Sequence, residues 1–363
     1  MNVCTREGQA PRIAHLTETA PAEGEVYEIA PGLLWARMAL PMALDHVNVY
    51  ALEDPDGWTL VDTGFDTART RAVWERLLAG PLGGRPVRRV LVTHHHPDHI
   101  GLAGWFQTVH GAELLTTRIA WLTARMLTLD EQPVPSPESL AFYHAAGMDA
   151  ERLEARRSMR PFNFADMVTP LPAGYTRIGE GDRLRLGGRD WLVRTGDGHA
   201  PEHATLWEET DSAPLLLSGD QVLPGISSNL GVHVTEPGAN PVEEWIASCV
   251  RFAGLARADH LVLPGHRLPF RGLGLRLRQL IDNHHTALER LTEHLRTPRS
   301  APECFVILFR RTIDDSTYGL ALGEALGHLN ALEARGLARR ETGPDGVWRW
   351  TAIPAPDLPA GAS

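Results

Sequence analysis

Four imidazoles and one carboxylate fall within six consecutive positions of this chain, in the run His94-His95-His96-Pro97-Asp98-His99. Histidine nitrogen and aspartate oxygen are the donor set of zinc and similar borderline divalent ions. Side chains at i and i+2 of an extended segment point the same way, so His94 and His96 can share one ion while His95 points away. Asp98 and His99 lie beyond the bend at Pro97 and can turn toward a second ion. An expression tag would lie at a terminus and lack the Pro-Asp-His ending. A pH-sensitive histidine cluster is the other reading of such a run, and the residues further along the chain weigh for the metal.

At these positions the chain resembles the metallo-β-lactamase superfamily, whose motif His-x-His-x-Asp-His is filled by His94, His96, Asp98 and His99. Other landmarks of the family follow in order across residues 25–285. They are Val61-Asp62-Thr63-Gly64, then Thr195-Gly196-Asp197-Gly198-His199, Ser218-Gly219-Asp220 and Pro264-Gly265-His266. The resemblance implies an αββα sandwich of mixed α/β class holding two divalent ions. His94, His96 and His199 would hold the first ion, Asp98, His99 and His266 the second, and Asp220 would bridge them. Zinc leads the expectation, with manganese and iron also suited to nitrogen and oxygen ligands. Such a pair lowers the pKa of a shared water, and the hydroxide would attack a carbonyl or phosphorus centre. Asp98 would orient it as a catalytic residue. Asp62 is expected to fix the orientation of a ligand histidine or to cap the turn at Gly64. His203, Ser227, Ser228, Asn229 and His233 are candidate contacts to substrate or leaving group, because loops after metal ligands often wall a pocket.

Two departures narrow the reaction. Asp220 stands where many secreted zinc β-lactamases carry cysteine, and Asp197 stands where relatives commonly have proline. The first points away from antibiotic hydrolysis and toward the hydroxyacylglutathione hydrolases, lactonases and ribonucleases of the family. Cleavage of a small acyl compound, a thioester or a lactone, is the leading expectation. A phosphodiesterase or ribonuclease using the same ions is the alternative. A non-catalytic metal-binding regulator is a third, against which the intact ligand set argues.

The elements that must position these residues follow from patterning. Glu25–Leu40, His46–Leu52, Trp58–Asp62, Val90–Val92 and Ala112–Thr116 read as strands, with helices at Thr67–Leu78 and Gly101–His110. Strands recur at Arg183–Leu186, Trp191–Arg194, Thr205–Trp207, Leu215–Ser218 and His260–Leu263, with a helix at Val242–Leu255. The chemistry-bearing residues thus fall at strand ends. Residues 119–161 interrupt the rhythm with two helices, as an insertion near an active site often does when it serves as a lid. Its Arg152, Arg156, Arg157 and Arg160 read as a solvated face, or as one or two arginines that bind a carboxylate or phosphate of the substrate.

A long helix from Arg271 to His294 leads into a C-terminal module over residues 286–355. Helices at Ala301–Phe309 and Tyr318–Arg335 and a hairpin over Leu337–Thr351 give it a winged-helix-like pattern. The lactamase-β-2-like subgroup of the family carries such a module at this place. Arg335, Arg339, Arg340 and Arg349 raise a nucleic-acid role, offset by Glu324, Glu333 and an overall net charge of −10. Packing or homodimerisation is the other role. The chain has no lysine, its 35 basic residues all being arginine, so Schiff-base chemistry is excluded. Cys4, Cys249 and Cys304 are too few and scattered for a disulfide framework. Met1–Pro21 lacks the apolar core of a signal peptide, and no stretch reaches the roughly 20 apolar residues of a membrane span. A cytoplasmic enzyme acting on a small-molecule substrate is expected.

Overall fold

The computed structural model describes residues 12–354 apart from residue 310; Cys4 lies outside the described residues. The chain forms two compact units. One is Met1–Glu131, Asn163–Ser228 and Ser248–Leu280; the other is Gln132–Phe162, Asn229–Ala247 and Ile281–Ser363. Among the described residues no helix is long and apolar enough to cross a membrane.

The first unit is a sandwich of two seven-stranded sheets. One sheet runs in sequence order through Tyr27–Ala30, Leu33–Ala39, His46–Asp54, Gly57–Val61, Val87–Leu91, Glu113–Thr116 and Thr176–Arg177. The other has the order Ala14–His15, Phe270–Arg271, Leu261–Pro264, Leu215–Gly219, His203–Glu208, Arg189–Gly196 and Arg183–Leu186. Period-two alternation divides each strand between two apolar faces. Leu33, Trp35, Tyr50, Leu52, Val61 and Leu91 meet Trp191, Val193, Leu206, Leu217 and Leu263 between the sheets. Met38, Val47, Val49, Leu60, Val90 and Val92 face the other way, onto Val73, Trp74, Leu77 and Phe106 of the helices Ala68–Ala79 and Ala103–Val109. The helix Pro241–Ala253 covers the second sheet through Phe252, which lies edge-on to Trp207. These layers are the αββα arrangement that the resemblance implies.

Several local details differ from the pattern-based expectation. Glu25–Leu40 is interrupted at Pro31-Gly32, where Gly32 takes a φ of 72° and the chain turns back on itself. Pro97–Ile100 is not plain loop but a one-turn helix with proline at its first position, which suits the fixed φ of that residue. Within 119–161, the helix Arg118–Leu129 belongs to the sandwich: Ala124 joins its core, and Trp121 stacks on Tyr175 at 4.7 Å.

In the second unit, the helices Pro137–Ala145 and Ala150–Arg157 pack with the C-terminal residues. His144 Nε2 pairs with the Asp345 carbonyl at 2.9 Å, and Phe142 lies edge-on to Trp348. The helix Tyr318–Ala334 is buried nearly all round, and its Asn330 amide donates to the carbonyls of Pro237 and Ala239. The expected hairpin forms from Ala338–Thr342 and Trp348–Ala352. The helix expected over Ala301–Phe309 is a 3-10 turn at Pro302–Cys304 followed by Phe305–Leu308. Cys249 and Cys304 are buried free thiols, one in each unit.

Two buried features allow tests. Asn48 donates to the carbonyls of Pro264 and Arg267, and its Oδ1 accepts from the Trp35 indole and Arg37. Asn48→Ala strands several buried polar groups and should lower unfolding free energy by about 2–4 kcal/mol in urea titration. In the second unit, His328 Nδ1 donates to the Glu324 carbonyl, and His284 Nδ1 pairs with His328 Nε2. Burial, with help from His328 and His285, pushes His284 down to about 3. The unfolded chain binds a proton below pH 6.5 that the folded chain refuses, so this site withdraws stability as pH falls from 6.5 toward 3. His284→Leu should flatten the stability–pH slope between pH 6.5 and 5 by about 1 kcal/mol per unit.

Candidate metal centre

The polar residues collect where strands of both sheets end. Asp62 follows Gly57–Val61 and the run 93–99 follows Val87–Leu91, both in the first sheet. His199, Asp220 and His266 follow Arg189–Gly196, Leu215–Gly219 and Leu261–Pro264 of the second. Among the described residues, three overlapping groups of donors converge with their atoms within 4.8 Å of one another: His94, His96 and His199; His94, His99 and Asp220; and Asp98, His99 and His266. The seven residues so gathered are those the motifs single out, and His95 is outside all three groups.

In the first group His96 Nδ1 lies 2.9 Å from His94 Nε2 and 3.0 Å from His199 Nε2. Burial and the neighbouring imidazoles hold His94 and His96 well below the usual imidazole range, so both rings are neutral and present lone pairs. In the other groups His99 Nε2 stands 3.4 Å from Asp98 Oδ2 and 3.5 Å from Asp220 Oδ1, and makes no hydrogen bond. His266 Nε2 is 3.3 Å from Asp98 Oδ2 and 3.2 Å from Asp220 Oδ2, while His199 Nε2 is 3.5 Å from that same Asp220 oxygen. Asp220 thus faces both histidine sets.

The charge balance of this pocket calls for cations. Burial opposes a charge on His99, yet Asp98, Asp220 and Asp62 together raise it well above the imidazole range. Burial likewise opposes a charge on His266, and Asp220 and Asp98 raise it to about 10. Burial would push Asp98 and Asp220 up, but His99 and His266 bring both below the usual carboxylate range. Two carboxylates without cations would be costly at this depth. Converging neutral nitrogens, unbonded His99 Nε2 and Asp220 Oδ1, and buried carboxylates fit divalent metal ions.

Three of the rings are aimed by a partner behind them. Asp62, itself at a φ of 60°, accepts from the Thr93 amide at 2.8 Å and from the Thr93 hydroxyl. Its Oδ2, which takes the hydroxyl, also accepts from His99 Nδ1 at 2.8 Å, which leaves His99 Nε2 facing the cluster. Since the Thr93 hydroxyl proton goes to Asp62, His94 Nδ1 donates to Thr93 Oγ1 at 3.0 Å, which leaves His94 Nε2 as the acceptor. One carboxylate therefore sets the tautomers of two rings, the role that outer carboxylates play around metal ligands. His266 Nδ1 donates to the His46 carbonyl at 2.6 Å. Space is fixed as tightly: a β-carbon on Gly265 would stand 2.2 Å from Asp220 Oδ1, and one on Gly219, at a φ of 48°, 2.6 Å from His203.

The weaker candidates divide. His203 is fully buried, stacks on His94 at 4.4 Å, and accepts from the Asp220 amide through Nε2. It braces the ligands and has no surface to offer a leaving group. Ser228 is buried and donates to the Asp220 carbonyl, while Ser227 is exposed. Asn229 and His233 lie in the second unit, where the Asn229 amide donates to Glu324 at 2.8 Å and His233 is exposed. The supporting residues His46, Asn48 and Tyr50 escaped the sequence reading. Nothing in their spacing marks them, and only strand pairing brings them to the 264–267 loop, where the Tyr50 hydroxyl donates to the Pro264 carbonyl.

A sandwich of this order with such a cluster at its strand ends defines a class of metal-site proteins. The sequence profile of the metallo-beta-lactamase superfamily matches residues 42–266, and that of the metallo-beta-lactamase-like C-terminal domain matches 288–353. The chain belongs to the metallo-beta-lactamase superfamily. It is 37% identical to a beta-lactamase domain protein from Burkholderia ambifaria, with a TM-score of 0.86 over 94% of this chain and 98% of that one. A metallo-beta-lactamase family protein from Thermus thermophilus is 28% identical, with a TM-score of 0.75 over 90% of this chain and 100% of the other. The probable metallo-hydrolase YqjP of Bacillus subtilis is 27% identical over 82% of this chain and 91% of its own.

Asp62→Ala should lower zinc affinity about 10- to 100-fold, measured by competition with a chromophoric chelator. Unchanged affinity would mean that His94 and His99 keep their orientation without it.

Proposed function

We propose that this metallo-hydrolase of the metallo-beta-lactamase superfamily cleaves a small acyl compound, a thioester or a lactone, with two divalent ions, zinc first among them. His94 Nε2, His96 Nδ1 and His199 Nε2 would hold one ion; Asp98, His99 Nε2 and His266 Nε2 the other; and Asp220 lies between the sets. When bound, such ions supply Lewis acidity and lower the pKa of a coordinated water.

The protein's own groups do the rest. Thr93, Asp62 and the His46 carbonyl keep ring protons on the far side of His94, His99 and His266, so that lone pairs meet the site. Asp98 is the most exposed carboxylate of the cluster, its side chain 17% accessible against 8% for Asp220. Held ionised by His99 and His266, it can accept a hydrogen bond from an entering water and orient it.

The observation that carries the acyl reading is where the arginines go. A phosphodiester chain needs free cations along its path. Arg335, Arg339, Arg340 and Arg349 are all ion-paired within their own unit, to Glu243, Glu341, Glu333 and Asp345. The net charge of −10 adds no overall attraction for a polyanion. The relative from Bacillus subtilis, a probable metallo-hydrolase by name, agrees with hydrolysis and leaves the bond open.

The test is a screen of zinc-loaded protein on acyl thioesters and lactones beside bis-p-nitrophenyl phosphate and RNA. Carbonyl substrates alone should turn over; a phosphodiester-only profile would overturn the reading. Chelation should abolish turnover and zinc restore it. Asp98→Asn should fold normally and lose about 100-fold or more in kcat.

A further inference from the structure

The 132–162 segment carries four arginines whose partners divide them. Arg152 is held by Asp149 at 2.7 Å and Asp315 at 2.6 Å, and lies over the Tyr318 ring. Arg157 is paired with Glu154 at 3.1 Å. Arg156 differs: half-buried, its guanidinium lies over the Tyr143 ring at 4.8 Å and makes no ion pair among the described residues. It borders a cavity of about 290 Å³ formed wholly within the second unit.

The other walls of that cavity are chemically uneven. Met159 and Phe162, 61% and 65% exposed, give it an apolar rim. Tyr318 is buried within the wall, and its hydroxyl makes no hydrogen bond among the described residues. Asp315 also lines the space, but its carboxylate is engaged by Arg152. The cavity therefore joins an unpaired guanidinium and a free phenol to an exposed thioether and aromatic ring. A planar guanidinium beside a hydroxyl donor matches a carboxylate, which accepts from both. The volume is at the small end of ligand pockets.

We infer that this cavity binds a small amphipathic monocarboxylate, its carboxylate on Arg156 and Tyr318 and its apolar tail on Met159 and Phe162. The inference rests on none of the hydrolytic chemistry.

Calorimetric titration of the full-length protein with octanoate tests it without turnover, so its outcome is separate from that of the hydrolase assay. Saturable binding is expected, at least tenfold weaker in Arg156→Gln and in Phe162→Ser, each checked for an unchanged melting temperature. Octan-1-ol, which lacks the charge, acetate, which lacks the tail, and inorganic phosphate should each bind at least tenfold more weakly than octanoate. No saturable octanoate binding, equal binding by Arg156→Gln, or phosphate or octan-1-ol matching octanoate would overturn the proposal. Tyr318→Phe separates the donors: it should weaken octanoate a few-fold and leave octan-1-ol unchanged, and an equal loss for both would count against the carboxylate seat.

Discussion

The site depends on one buried carboxylate. Asp62 follows the buried inner strand Gly57–Val61 in a left-handed conformation that costs a non-glycine residue strain. The compensation is a set of bonds that no neutral side chain could make together: the Thr93 amide and hydroxyl and the His99 ring all donate to it. Through Thr93 its influence reaches His94 as well. Ring orientation in both halves of the cluster is therefore decided by a residue that meets neither half directly as a donor.

That arrangement makes electrostatic sense only with cations in front of it. Asp98, Asp220 and Asp62 lie among rings that burial would keep neutral. Protons on His99 and His266 can supply the missing charge, and divalent ions can supply more of it with better geometry for three converging nitrogens. The small residues follow from the same crowding. Gly265 is pressed against Asp220, and Gly219 against His203, so the loops that carry the ligands have no room for a side chain.

The sequence made the chemistry more legible than its support. His94, His96, Asp98 and His99 announce themselves by density, and His199, Asp220 and His266 by the glycines and prolines around them. The strands that deliver them are short, apolar and bounded by turns, which alternation detects. What spacing could not show is who stands behind the ligands. Asn48 and His46 look like ordinary strand residues until pairing sets them against the 264–267 loop. Likewise, a charged helix face at 152–160 does not declare which arginine is spent, because its partners Asp149, Glu154 and Asp315 are recognisable only in three dimensions. The helix Arg118–Leu129 is legible as an interruption and not as a core element, since the only residues it buries fully are two alanines.

The ligands come from both sheets, and the last of them is fastened across the sandwich. His266 follows a strand of the second sheet, yet its ring is held by His46 and its loop by Asn48 and Tyr50, all from the first. The Ala204 amide donates to the Thr93 carbonyl to make a second such tie. An ion held by donors from both sheets would fasten the two plates together at that end, so that the groups that do the chemistry would also brace the scaffold.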